Sequence, residues 1–120
     1  MLLNAFSLNM LADFPASIRV TEISVSEARN HLIAQAEEAG EAELIQSAVG
    51  HADTAAVFAA VLGLPVPANR ATVQLRAGDR VIVGQYSGPR MPEGATTLPE
   101  GAAIKWLAVE VESPSSSRPT

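Results

Sequence analysis

The sequence predicts a single α/β domain: a mixed central β-sheet with flanking helices and a β-hairpin. Short apolar runs of strand-like composition alternate with segments whose apolar residues recur at helical spacing, in the order β–α–β–α–β–β–β. Gly, Pro, Ser and Asp punctuate the boundaries between them. The 120 residues are 48% hydrophobic and only 18% charged, which favours a packed core over disorder. A chain of this length buries about two-thirds of its unfolded surface. This order of elements stacks as two or three layers around one sheet. The domain is expected over residues 1–112, with residues 113–120 a polar Ser/Pro tail expected to be disordered.

Met1 to Phe6 is short and apolar and reads as a buried strand. Ser7 can cap a short helix carrying Leu8, Met10 and Leu11, which Pro15 prevents from continuing. Ile18, Val20 and Ile23 suggest a second strand. Ser24 with Glu27 three residues later forms a capping-box pattern, opening a helix to about Ala39 with Gly40 as its stop. Ala28, Leu32, Ala36 and Ala39 make its apolar stripe, with His31 on a mixed face. Ala42 to Val49 reads as a helical turn. A further helix runs through Ala55 to Leu62, with Asp53 or Thr54 as its cap and Gly63 as its end. Thr72–Leu75 and Arg80–Tyr86 are strand-like around Ala77-Gly78-Asp79, which predicts a β-hairpin there. Ser87 to Gly101, rich in Gly, Pro and Thr, is loop. Ile104 to Glu112 reads as the final strand.

Composition excludes several functions. A net charge of −5 argues against sequence-independent binding of long DNA or RNA, though not against a small anion in a local pocket. Seven arginines stand against one lysine, Lys105, and arginine is the better bidentate phosphate clamp. There is no cysteine, which rules out disulfides and thiolate metal sites and is compatible with the cytoplasm. No apolar run approaches the ~20 residues of a membrane span. Met1-Leu2-Leu3-Asn4 lacks a basic region, so no secretory signal is expected. Two histidines with one nearby Asp53 are too few for a zinc site, and no metal or other cofactor is expected.

The chemistry-bearing residues cluster at the ends of the expected elements, where α/β folds place ligands. The polar break Ser47–Thr54 stands ahead of an Ala/Val/Leu/Phe run. A helix starting there points free N–H groups and partial positive charge toward whatever lies beside His51. Imidazole exchanges protons near neutrality. Asn4 to Ser7, Asn69-Arg70 and Arg90 with Glu93 occupy other such ends. Taken singly, each has a plainer explanation: His51 as a capping or packed residue, Ser7 as a cap, Arg70 facing water, Arg90 paired with Glu93.

Together they resemble a known family. Asn4-Ala5-Phe6-Ser7-Leu8-Asn9-Met10-Leu11, followed by Phe14-Pro15, resembles the opening signature of the viral anti-CRISPR ring nucleases. Gly50-His51 with Thr54, Asn69-Arg70, and Gln85-Tyr86-Ser87 leading to Arg90 and Glu93-Gly94 are similar to that family's later motifs, in order, over roughly residues 2–112. The resemblance implies a small homodimeric α/β protein that binds cyclic tetra-adenylate, the second messenger of type III CRISPR complexes, and cuts it without a metal. It implies His51 as general acid, with Asn4, Ser7, Arg70, Arg90 and Glu93 binding or positioning the ring. The sequence departs from the pattern at Gly88-Pro89, where the family typically has one residue between Ser87 and Arg90, and in its acidic, lysine-poor composition. It departs again at Pro92 and at a second Pro-Glu-Gly, Pro99-Glu100-Gly101.

The residue types suit the reaction. Each 3′,5′-phosphodiester of RNA carries its nucleophile, the adjacent 2′-hydroxyl. The protein must align it, neutralise the phosphorane and protonate the departing 5′-oxygen. The products are linear di-adenylates ending in a 2′,3′-cyclic phosphate. The alternative is a non-catalytic sponge or sensor of the same fold. A third possibility is a structural dimer with no nucleotide ligand.

Overall fold

Burial decides the strand order. The computed structural model describes residues 1–38, 47–69, 72–90 and 94–112. Its most continuously buried strand, β3 (Arg80–Ser87), holds four buried residues in succession, Val81 to Gly84, and accordingly lies inside the sheet. On one side β1 (Leu2–Leu3) runs parallel to it, with Leu2 opposite Ile82 and Leu3 opposite Val83. On the other, β4 (Ala103–Val111) pairs antiparallel along the whole of β3. The mostly exposed β2 (Ile18–Ile23) pairs antiparallel with β4 at the edge, giving the order β1-β3-β4-β2. Beyond β1 the sheet is continued by single parallel bridges, Ser47 to Leu2 and then Val49 to Ala68.

The alternation of side chains along the strands feeds two cores. On one face α1 (Val25–Glu38) and α2 (Ala52–Leu62) pack Ala28, Leu32, Ala36, Ala55, Phe58 and Leu62 against Leu2, Ile82 and Trp106. On the other, Leu11, Val73 and Leu75 cover Leu3, Val81, Val83, Val109 and Val111. The α1 start is the expected reciprocal box: Glu27 N–H donates to Ser24 Oγ and Ser24 N–H to Glu27 Oε1, both at 3.1 Å. Gly63, at φ 70°, ends α2 as expected, its N–H donating to the Ala59 carbonyl at 2.8 Å. Gly84 seats α2 on the sheet. A Cβ there would meet Phe58 and Trp106 ring atoms at 2.8 Å, and those rings pack edge-to-face with centroids 5.2 Å apart. No helix among the described residues is long and apolar enough to cross a membrane.

Four expectations change. The turn at Ala77-Gly78-Asp79 exists, but Thr72–Leu75 does not pair with β3. β1 and β4 occupy both edges of β3, so Leu75 turns instead to the 10–12 segment, its carbonyl accepting from Ala12 N–H at 2.9 Å. The fold's hairpin is β3 with β4, joined through residues 88–102. Ser47–Val49 is extended rather than helical, held to β1 by Ala48 N–H donating to the Leu2 carbonyl at 2.9 Å. The first strand is confined to Leu2–Leu3, because Ser7 opens a 3₁₀ turn at Leu8–Met10. Helix α2 begins at Ala52, which makes His51 rather than Asp53 or Thr54 its N-cap. The expected Gly40 stop and the 113–120 tail lie outside the described residues.

Candidate functional site

Four chain segments run in one direction and end at the same edge of the sheet. Leu3 leads into Asn4, Val49 into Gly50-His51, Ala68 into Asn69, and β3 continues through Gln85-Tyr86-Ser87. This is the carboxyl end of a parallel arrangement, where backbone groups and loop side chains converge without a covering element. Residues 47–49, α2 and Ala68 form a compact β–α–β crossover there. Asn69 fastens it: its side-chain amide donates to the Ser47 carbonyl at 3.0 Å and its backbone N–H to the Val49 carbonyl at 2.8 Å. Asn69, named with Arg70 as a candidate, thus has a structural task. The buried Ser47 adds a local bond, its Oγ accepting from Val49 N–H at 3.1 Å.

His51 stands at the mouth of α2. It has extended backbone angles, φ −119° and ψ 130°, and its carbonyl accepts the first helical bond from Ala55 N–H at 3.0 Å. Its imidazole makes no capping hydrogen bond and is exposed, so it is neither packed in hydrocarbon nor spent on the helix end. The first-turn N–H groups of an 11-residue helix lie beside it, with their partial positive charge. Asp53 in that turn carries the opposing charge.

Arg90, also exposed, lies in the β3–β4 connection that rises from the same edge. The connection is pinned at several points. Tyr86 O–H donates to the Pro89 carbonyl, the residue before Arg90. Gly88, at φ 131°, packs so closely that a Cβ would lie 2.7 Å from Ala102 Cα. Gly94 N–H donates to Asp53 Oδ1 at 3.2 Å, joining the connection to the first turn of α2.

The structure therefore brings Asn4, His51 and Arg90 to one end of the sheet. Ser7 lies three residues past Asn4 and caps the 3₁₀ turn, its Oγ accepting from Asn9 N–H at 3.2 Å. Arg70 and Glu93 lie outside the described residues. The Asp53–Gly94 bond is a feature sequence reading missed. The types were visible, a carboxylate near a helix start and a glycine in a long loop, but 41 positions separate them.

A groove of about 700 Å³ opens elsewhere, at the amino ends of β1 and β3, lined by Met1, His31, Gln35, Glu38, Asp79 and Arg80 among others. Two of its charged groups are engaged: Arg80 Nε donates to Glu110 Oε2 at 2.7 Å, and Asp79 Oδ2 accepts from Arg76 N–H at 2.8 Å. We place the candidate site at the carboxyl edge, where chemistry-bearing groups converge, rather than in the roomier groove.

A family model described as STIV B116-like matches residues 1–105. Among solved structures, B116 of Sulfolobus turreted icosahedral virus is similar, with a TM-score of 0.73 and 25% sequence identity, over 91% of this chain and 96% of that one. No curated protein matches the chain.

Proposed function

The chain belongs to the STIV B116-like family, and from that premise we propose that it is a metal-independent, cytoplasmic ring nuclease acting as a homodimer on cyclic tetra-adenylate. The observation that carries this reading is the exposed, uncommitted imidazole of His51 at the N-terminus of α2, on the edge that also bears Asn4 and the Arg90 connection. The motif resemblance supports it from the sequence side.

In this reading the 2′-oxygen of one adenylate attacks the adjacent phosphorus and the bond to the 5′-oxygen breaks. The 2′-hydroxyl proton leaves to solvent and His51, as imidazolium, protonates the 5′-oxygen. Cleavage at two opposite phosphodiesters turns the ring into two linear di-adenylates, each with a 2′,3′-cyclic phosphate and a 5′-hydroxyl. The N–H groups of α2 and the Arg90 guanidinium stabilise charge on the phosphorane. Asn4, Ser7, Arg70 and Glu93 hold the ring. A two-fold dimer presents one set of these groups to each half of a four-fold ring. Cleavage shuts off the signal that the ring carries.

The test is His51→Ala. General-acid loss is expected to lower single-turnover cleavage by about 10²–10⁴ while the ring still binds. A wild-type protein that binds the ring and leaves it intact is instead a sponge or sensor. One that gains no thermal stability from cyclic oligoadenylates has neither role, since ligand at 100 times its Kd adds about 2.7 kcal/mol.

A further inference from the structure

We infer that Asp53 is a positioning residue: by fastening Gly94 to the first turn of α2 it steadies the β3–β4 connection that carries Arg90. The inference rests on the ring-nuclease reading for its consequence but not for its geometry. Asp53 lies in the first turn of α2, two residues from His51, where a carboxylate ordinarily satisfies its own helix end. Here Oδ1 accepts from the N–H of Gly94, 41 residues away and across the mouth of the sheet. Gly94 is suited to the contact because its φ of 77° is strained for any side chain.

A second anchor lies on the other side of Arg90. Tyr86 shares the helix-covered face of β3 with Ile82 and Gly84, by strand alternation, and its O–H holds the Pro89 carbonyl. Gly88 closes the base of the connection against the Ala102 backbone. The β3–β4 connection is therefore fastened at Pro89, just before Arg90, to Tyr86 of β3, and at Gly94 to the first turn of α2. Gly88-Pro89, the place where this chain is longer than the motif it resembles, is held by Tyr86. Arg90 keeps a fixed entry point despite the added residue. The carboxylate has an electrostatic cost, since it opposes an anionic ligand at the helix mouth. A group selected only to bind phosphate would not be acidic, which points to the tether as its task.

The experiment compares Asp53→Ala with Asp53→Asn, which keeps an acceptor oxygen and removes the charge. In the ligand-free protein, solvent exchange of the Gly94 amide, measured by NMR, is expected to rise about fivefold in Asp53→Ala, the loss of one ordinary hydrogen bond, and to stay near wild type in Asp53→Asn. With cyclic tetra-adenylate, Asp53→Ala is expected to lower single-turnover cleavage by about ten- to a hundredfold at unchanged thermal midpoint. Asp53→Asn is expected to restore it, and in an Arg90→Ala background Asp53→Ala should have little further effect. Unchanged Gly94 exchange in Asp53→Ala would overturn the tether. Full additivity with Arg90→Ala would overturn action through Arg90. A wild type that neither binds nor cleaves the ring refutes the nuclease reading and with it the catalytic consequence, and the exchange data still decide the tether.

Discussion

The two ends of the sheet contrast in a way that volume alone does not report. At the amino end a groove of about 700 Å³ brings His31 together with Glu38, Asp79 and Arg80. His31 sits in mid-helix, and both Arg80 and Asp79 already have partners within the protein. At the carboxyl end His51 caps a helix with its backbone and leaves its ring exposed, among chain ends that share one direction. A cavity records where packing is incomplete. A site needs groups whose hydrogen-bonding capacity is still to be used, set where backbone N–H groups also converge, and the His51 ring at the start of α2 stands at such a point.

The sharpest way to break that contrast is to exchange the histidines' fates. His51→Ala is expected to abolish nearly all cleavage, whereas His31→Ala leaves it unchanged; equal losses in a single-turnover assay would erase the distinction. Next in size is Gly84→Ala. Its methyl group meets Phe58 and Trp106, both essentially buried, and overpacking of this kind costs about 1–3 kcal/mol. Urea unfolding would measure it, and cleavage should fall too because α2 is displaced from β3.

The sequence revealed what is local. The Ser24–Glu27 box, the Gly63 stop and the strands around Val81–Val83 and Trp106–Val109 are written within a few residues of where they act. It misled where a local signal has a distant partner. Arg76 to Asp79 does form a turn, yet β3 pairs with Leu2–Leu3 and β4, because strand edges are filled by competition across the whole chain. Ser47–Val49 is too short to show a period, and its extended form comes from Leu2 and Ala68 on either side. The candidate site divides in the same way. Asn4 and His51 were legible as element ends. Asp53 and Tyr86, which act on residues in the β3–β4 connection, were not legible in those roles.

Two smaller effects sharpen the comparison further. Ser24→Ala removes one half of the α1 box, with an expected loss of about 1 kcal/mol in urea unfolding and no change in ring binding. Arg80→Ala removes an ion pair with Glu110 whose partners are 62% and 41% exposed, and is expected to cost under about 1 kcal/mol, less at high salt. A large activity loss from either would move the functional centre toward the amino end.

The most direct measurement is incubation of the wild-type protein with labelled cyclic tri-, tetra- and hexa-adenylate in EDTA, with products separated by chromatography. Conversion of the tetra-adenylate ring to linear di-adenylate bearing a 2′,3′-cyclic phosphate is the expected result. Recovery of every ring intact, under conditions where the protein is folded and in excess, would contradict the account.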